Sequence, residues 1–375
     1  MRNLILGLAR PLLRLLGRDE RGVIGVLIAM MFGAGVLTGM GALVIDAGQL
    51  FQERAELQNG ADAAALAVAK SCATGTCTAA SALTLSATYA NKNASVLTGS
   101  TAASVVCGSG TLGACPTVTG AQIDCPAAPS GGLSYVDVRT STKLSGGSLL
   151  LPPVFGTTLL GNGSYTGTTV KACAQAAWGG PTSANTAAFA LSACSWDSWT
   201  TTGTNFAPAP PTVPSSTFDH QINLANLGNS VGCAGEAAGS DGAGAFGWAV
   251  DQTGSCGIFT NTATFPADTG ASAGSTCQTF LVAAQASRKA IFLPVYGKTT
   301  GTGSNTVFTL KGFAAFVITG YSLPSFSASD WLKSSNNTCS YKCIDGYFTK
   351  ALVPGTGGAA SSGTYLGAAA IGLSG

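Results

Sequence analysis

The segment from Gly22 to Ile45, GVIGVLIAMMFGAGVLTGMGALVI, contains no charged residue and constrains this chain more than any other feature. A helix of about 20 such residues crosses a hydrocarbon core roughly 30 Å thick, so the run is expected to span a membrane. No charge break or helix stop separates it from DAGQLFQERAELQNGADAAALAVAK. There Leu50, Leu57, Ala61, Ala64 and Val68 recur at helical and heptad spacing. The sequence therefore predicts one continuous rod over residues 22–70, its first half in lipid and its second half packed on a water-exposed body.

Charge sets the orientation. Arg2, Arg10, Arg14, Arg18 and Arg21 precede the run, and the rest of the chain is close to neutral. Positive flanks stay cytoplasmic. Residues 1–21 are thus expected inside as a basic cytoplasmic segment, residues 22–45 as a single pass of the cytoplasmic membrane, and the bulk of the chain extracytoplasmic. A near-neutral exterior argues against nucleic acid as a partner, because phosphates require a basic face. The alternative to an uncleaved signal-anchor is a cleaved signal peptide, whose apolar core runs to about 7–15 residues and closes on a small-x-small site. The longer run here, followed by further helical patterning, favours the anchor. Within it Gly25, Ala29 and Gly33 recur at every fourth position, and Gly35 and Gly39 form a GxxxG. Small residues at that spacing let two membrane helices approach closely.

Beyond the membrane the composition describes a β-rich exterior. Only 9% of the residues are charged, against about 25% in typical soluble proteins. Twelve cysteines stand beside a single histidine, His220, and no Cys-x-x-Cys pair occurs. That usage points to disulfides in an oxidising compartment rather than to zinc. Cys72 and Cys77, close in sequence, form the first candidate bridge, and the other pairings stay open.

Taken in order, the exterior reads as an α+β unit over residues 46–179, with a long helix on an antiparallel sheet in a pilin-like arrangement. A second helix is expected over 78–94, with Ala82, Leu85 and Tyr89 on one side. Strands are expected over 103–107, 135–144 and 168–178, the second showing period-two alternation, and LPPVFGTTLLG as a short helix or turn. Residues 180–217, from GGPTS to FAPAPPTVPSST, read as a Pro/Thr-rich connector. Residues 218–375 read as a β-rich, disulfide-containing domain with strands over 290–297, 306–321, 346–353 and 365–373 and long loops around Cys233, Cys256 and Cys277.

The exit from the apolar run is the most particular stretch. Asp46, Gly48, Phe51, Arg54, Leu57, Gln58, Ala61, Asp62 and the alanines after it spell D-x-G-x-x-F-x-x-R-x-x-L-Q-x-x-A-D-A-A-A. This pattern resembles the N-terminal module of the TadG-like (TadE/G-like) proteins of tight-adherence, Flp-type pilus assembly. A weaker likeness to actinobacterial members lies in GFAAFVITGY and GYFTKALVP. The resemblance covers about the first fifth of the chain. It implies a membrane-anchored envelope protein of a pilus or secretion system, with other pilus-assembly membrane proteins, pilin or cell-wall components as partners. Pilin precursors carry Glu at the fifth position after a cleavage Gly. Here Leu27 stands five residues after Gly22, and Gly22 five after Gly17, so no pilin-type processing is expected.

No motif supports an enzyme, and no cofactor or metal is expected. Asp268 opens DTGAS, which resembles an aspartic-protease or von Willebrand A signature, but no second Asp-Thr-Gly exists to supply a paired carboxylate. Gly297, Lys298 and Thr299 lack the glycine of a phosphate loop, since Phe292 takes its place. His220 reads as an exposed linker residue next to Asp219. The chain is therefore expected to be a non-enzymatic bitopic assembly protein of a Flp-type pilus. The alternative is a membrane-anchored adhesin or carbohydrate-binding module unrelated to pili.

Overall fold

The computed structural model describes residues 20–33, 35–93, 101–117, 125–144, 146–155, 167–223, 246–261, 263–268, 273–301, 305–333, 342–354 and 363–374. Residues 1–19 of the expected basic segment, Cys233 and most of the DTGAS motif lie outside them.

The apolar run does not form one rod. Helix α1 (Glu20–Gly33) and helix α2 (Val36–Ala73) are separate, and Gly35 between them adopts φ 72, the left-handed conformation glycine tolerates best. The amide of Gly35 closes the first helix on Phe32 O at 3.1 Å, while its carbonyl starts the second by accepting from Gly39 N at 2.8 Å. This break corrects the expectation of a continuous helix over 22–70. It leaves α1 with 14 residues and gives α2 an apolar start that ends at Asp46, so no helix among the described residues is long and apolar enough to cross a membrane.

From Asp46 onward α2 behaves as the pattern predicts. Ala61, Ala64, Ala65, Val68 and Ala69 are buried against Val136, Val138, Ala174 and Ala176. Those residues belong to β2 (Ser134–Lys143) and β3 (Lys171–Gly179). Side chains this small let the helix axis lie close to the sheet. Helix α3 (Ala79–Lys92) packs beside α2. Its start is fixed by a capping box in which Thr78 Oγ1 accepts from Ser81 N at 3.1 Å and Ser81 Oγ accepts from Thr78 N at 2.8 Å. Its buried stripe is Ala82, Ser86 and Ala90, with Leu85 packed beside Ala82 as expected and Tyr89 exposed, and Gly60 on α2 brings the two backbones together at Ala90.

The first sheet runs β1 (Thr101–Gly108), β2, β3, β16 (Ala368–Leu373), β14 (Ala351–Leu352), antiparallel except for the parallel last pair. Its far face is covered by loops tied down by the Cys107–Cys115 and Cys125–Cys173 disulfides. That cover explains why Asp137 is buried although it alternates out of the helix-facing set. It accepts from Gln175 Nε2 at 2.9 Å, and burial lifts its carboxyl above the ordinary range against the pull of Gln175 and Arg139.

The second sheet is organised on β11 (Val307–Leu323), which pairs with β10 (Ile291–Thr300) in the expected hairpin and with β13 (Cys343–Thr349) on its other side. Two boundaries differ from the sequence reading. Within 180–217, β4 (Ala184–Ala187), β5 (Phe189–Ser192) and helix α4 (Ala193–Trp199) are largely buried, and β5 pairs with β10, so much of the segment read as a connector belongs to the core. At the other end, β15 (Thr364–Tyr365) pairs with β11, and then, after Gly367 at φ 107, β16 crosses to pair with β3 of the first sheet. The last strand therefore completes the helix-bearing unit. Helix α5 (Ser275–Ser287) replaces the loop expected around Cys277, and Cys256–Cys277 ties it to the preceding turn.

The chain is thus a mixed α+β protein, a long helix on an antiparallel sheet followed by a β-rich, disulfide-containing half.

Candidate functional site

The motif residues divide into two sets by what they touch. Leu57, Gln58 and Ala61 dock the helix. Leu57 is buried and its carbonyl accepts from Thr140 Oγ1 of β2 at 3.1 Å. Gln58 Nε2 donates to Cys173 O of β3 and to Asp62 Oδ1, both at 2.9 Å. Asp62 is therefore a local partner that orients Gln58, half-buried at the seam. Thr142 Oγ1 donates to Glu53 Oε1 at 3.0 Å, a buried contact one turn lower that sequence reasoning missed, because a glutamate on a helix reads as solvated.

Most of the second set is open to solvent. Phe51 is 74% exposed, and Gly48 has open space around it. Arg54 is exposed and, among the described residues, makes no ion pair. With Leu50, Phe51 and, across from them, Thr168 and Lys171, it borders an open groove of about 410 Å³ where the helix leaves the sheet. Asp46 sits at the lower end. Its Oδ1 accepts from the amides of Val154 at 2.8 Å and Phe155 at 3.0 Å, so it holds a loop instead of facing solvent alone.

Below Asp46 the helices are uncovered. Val23, Ile24, Leu27, Met30, Phe32, Met40, Leu43 and Val44 are all more than half exposed. Gly25 and Gly33 have nothing near them, and Ala29 is exposed. Gly35 is the left-handed cap of α2 and Gly39 lies one turn into it, so the pair sits at the very start of that helix. At the upper end, Cys72 and Cys77 are joined across the α2–α3 turn, and Tyr365 Oη of β15 donates to Ala73 O at 2.8 Å, closing the last turn of α2. The tyrosine was not legible in sequence, since 292 positions separate the partners.

The described residues of the catalytic-looking motifs make contacts within the fold. Asp268 extends the chain beside Trp248, whose carbonyl accepts its amide at 2.8 Å. His220 is not a linker residue. It opens β6 (His220–Asn223) and stacks on Trp199 with centroids 5.6 Å apart. Burial, with Lys333 nearby, pushes its imidazole down to about 4. Asp219 beside it is buried, accepts from Thr319 Oγ1 at 2.6 Å and lies 2.8 Å from Lys333 Nζ. The lysine donates its directed hydrogen bond to Asp219 O at 3.0 Å, so the carboxylate contact is an ion pair without good hydrogen-bond alignment. Burial, reinforced by neighbouring Asp330 and opposed by Lys333 and Thr319, pushes the Asp219 carboxyl up to about 7.

Asp251 is the opposite case. Partial burial works against its charge, but the amides of Cys256, Thr253 and Gly257 and the Thr253 hydroxyl outweigh it and hold the carboxyl far below the usual range. A carboxylate surrounded by donors is a turn organiser and has no lone pair directed at a cation. Among the described residues the one triad with metal-type atoms is Cys107, Cys115 and Asp137, and its sulfurs are spent in a disulfide.

Residues 22–71 match a family model described as putative Flp pilus-assembly TadE/G-like. The match ends at the helix that docks on the sheet and includes both sets of motif residues. No curated protein and no solved structure matches the chain. The likeness to the TadE/G-like family is thus confined to residues 22–71.

Proposed function

We propose that this chain is a non-enzymatic, membrane-anchored envelope protein that serves in assembly of a Flp-type pilus or a related secretion system. The observation that carries the proposal is the division of the motif helix. Its upper half is locked to the sheet through Leu57, Gln58 and Ala61, while most of the described apolar side chains below Asp46 are exposed. The apolar run would cross the cytoplasmic membrane once, as α1 and the start of α2 meeting at Gly35. Glycine breaks are tolerated in membrane helices where local contacts satisfy the freed backbone groups. The arginines before residue 22 favour an inside N-terminus, and the disulfides favour an oxidising exterior.

The mechanism is mechanical. A rigid helix–sheet junction transmits position from the membrane to the exterior body, and small residues on α1 are available to other pilus-assembly membrane proteins. Deleting the gene tests the reading: loss of surface pili with secreted pilin subunits still produced supports it. A second reading, ligand capture by the β-rich half, is favoured by a cavity of about 410 Å³ lined by Pro210, Pro211, Arg288, Lys289, Trp331 and Tyr347. Intact pili with lost surface binding would select that reading.

A further inference from the structure

The loop that Asp46 holds is an apolar foot. Leu149, Leu150, Val154 and Phe155 are 47%, 38%, 52% and 42% exposed, an unusual concentration for a segment outside any strand. Two hydrogen bonds from backbone amides to one carboxylate fix this segment at the level where α2 changes from apolar to polar. Phe51, 74% exposed, stands about one turn above on the same helix. The foot therefore continues the uncovered apolar surface of residues 22–45 sideways, beneath the sheet.

Above the foot the charge changes sign in a way that suits a lipid surface. Arg54 and Lys171 face each other across the groove, both exposed, and neither is ion-paired among the described residues. Arg54 is eight residues beyond Asp46, about 12 Å along the axis. Side chains on a helix lean toward its N-terminus, a direction that for Arg54 leads toward the foot. An apolar layer with cations just above it matches the acyl–phosphate boundary of a bilayer.

We propose that Leu149, Leu150, Val154 and Phe155, pinned by Asp46, dip into the outer face of the lipid bilayer as a second, monotopic contact, with Arg54 and Lys171 against the phosphates. This rests on the membrane-anchor reading. The second contact would stop the body from rotating about a single helix. It also gives Asp46, Phe51 and Arg54 of the motif a shared task that docking to the sheet does not.

The test places a photo-reactive benzoylphenylalanine at Phe155 of the full chain reconstituted in phosphatidylcholine–phosphatidylglycerol liposomes. Parallel proteins carry it at Leu43, on the anchor, and at Phe259, exposed on β8 (Gly257–Thr260). Phospholipid adducts are then counted by mass spectrometry. Adducts at 43 and 155 but not 259 are expected, with the yield at 155 falling several-fold in an Asp46→Ala background. Adducts at 43 alone would overturn the foot and leave the anchor. Adducts at neither would overturn both, and adducts at 155 without 43 would remove the anchor and with it the foot as a second contact. Equal yields at 155 and 259 would mean unspecific contact and would also overturn the foot.

Discussion

Two neighbouring residues, Asp219 and His220, give the protein opposing responses to acid. Asp219 titrates near 7 in the fold against an ordinary 3.8, so the folded state holds a proton that the unfolded chain has released. Stability from this group falls as pH rises from about 4 to 7. His220 titrates near 4 against an ordinary 6.5, so the unfolded chain binds the extra proton and stability rises with pH across about 4 to 6.5. The two slopes overlap and offset each other. A His220→Phe protein, which keeps the stack on Trp199, is expected to lose stability from pH 4 to 7 in urea titrations. An Asp219→Asn protein is expected to gain it over the same range. Equal profiles in both would contradict the assignment. Glycines on α2 give a second contrast. A Cβ at Gly60 would lie 3.1 Å from Ala90 O and 3.3 Å from Ala90 Cα, both backbone atoms, whereas at Gly48 nothing lies within 4 Å. Gly60→Val should cost about 1–3 kcal/mol by overpacking. Gly48→Ala should add about 0.5–1 kcal/mol through helix propensity. Thermal melts followed by circular dichroism would read both signs.

At the scale of elements, the helix from Asp46 to Lys70 and strand β2 are legible from their period, whereas β3, β10 and β11, buried in continuous runs, are legible as short apolar stretches between turns. The break at Gly35 is not. Glycines at 33, 35 and 39 have the same appearance whether they let two helices approach or let one chain enter a left-handed turn, and only the backbone decides. Helix α5 escaped because STCQTFLVAAQAS mixes small residues without a clear stripe, and only Cys277, Leu281 and Ala284 are buried. His220 was misread for a related reason. Its polar, proline-rich surroundings suggested solvent, while the partner that buries it, Trp199, lies 21 positions earlier in a segment taken for a connector. Of the candidate site, the docking residues were in the sequence motif, but their partners Thr140, Cys173 and the 149–155 loop were not. Side-chain to backbone bonds across such separations leave no periodic trace.

For the whole molecule, the return of the last strand matters most. β15 lies on β11 of the second sheet and β16 on β3 of the first, while Tyr365 of β15 closes the end of α2. The two halves are interlocked and should unfold together. A chain truncated before Gly363 is therefore expected to lose protease resistance across β1–β3 as well as in the second sheet. Survival of residues 46–179 as an intact fragment would show the halves to be independent. Interlocking also suits a mechanical role, since a load applied at the helix reaches both sheets through paired strands instead of a flexible tether. The account as a whole turns on where the chain sits, and one measurement addresses that directly: external protease added to intact spheroplasts, followed by alkaline extraction of the membranes. The account predicts that the body is digested from outside while an N-terminal fragment ending near Asp46 stays in the alkali-resistant pellet. An undigested chain, or one released whole by alkali, would contradict it.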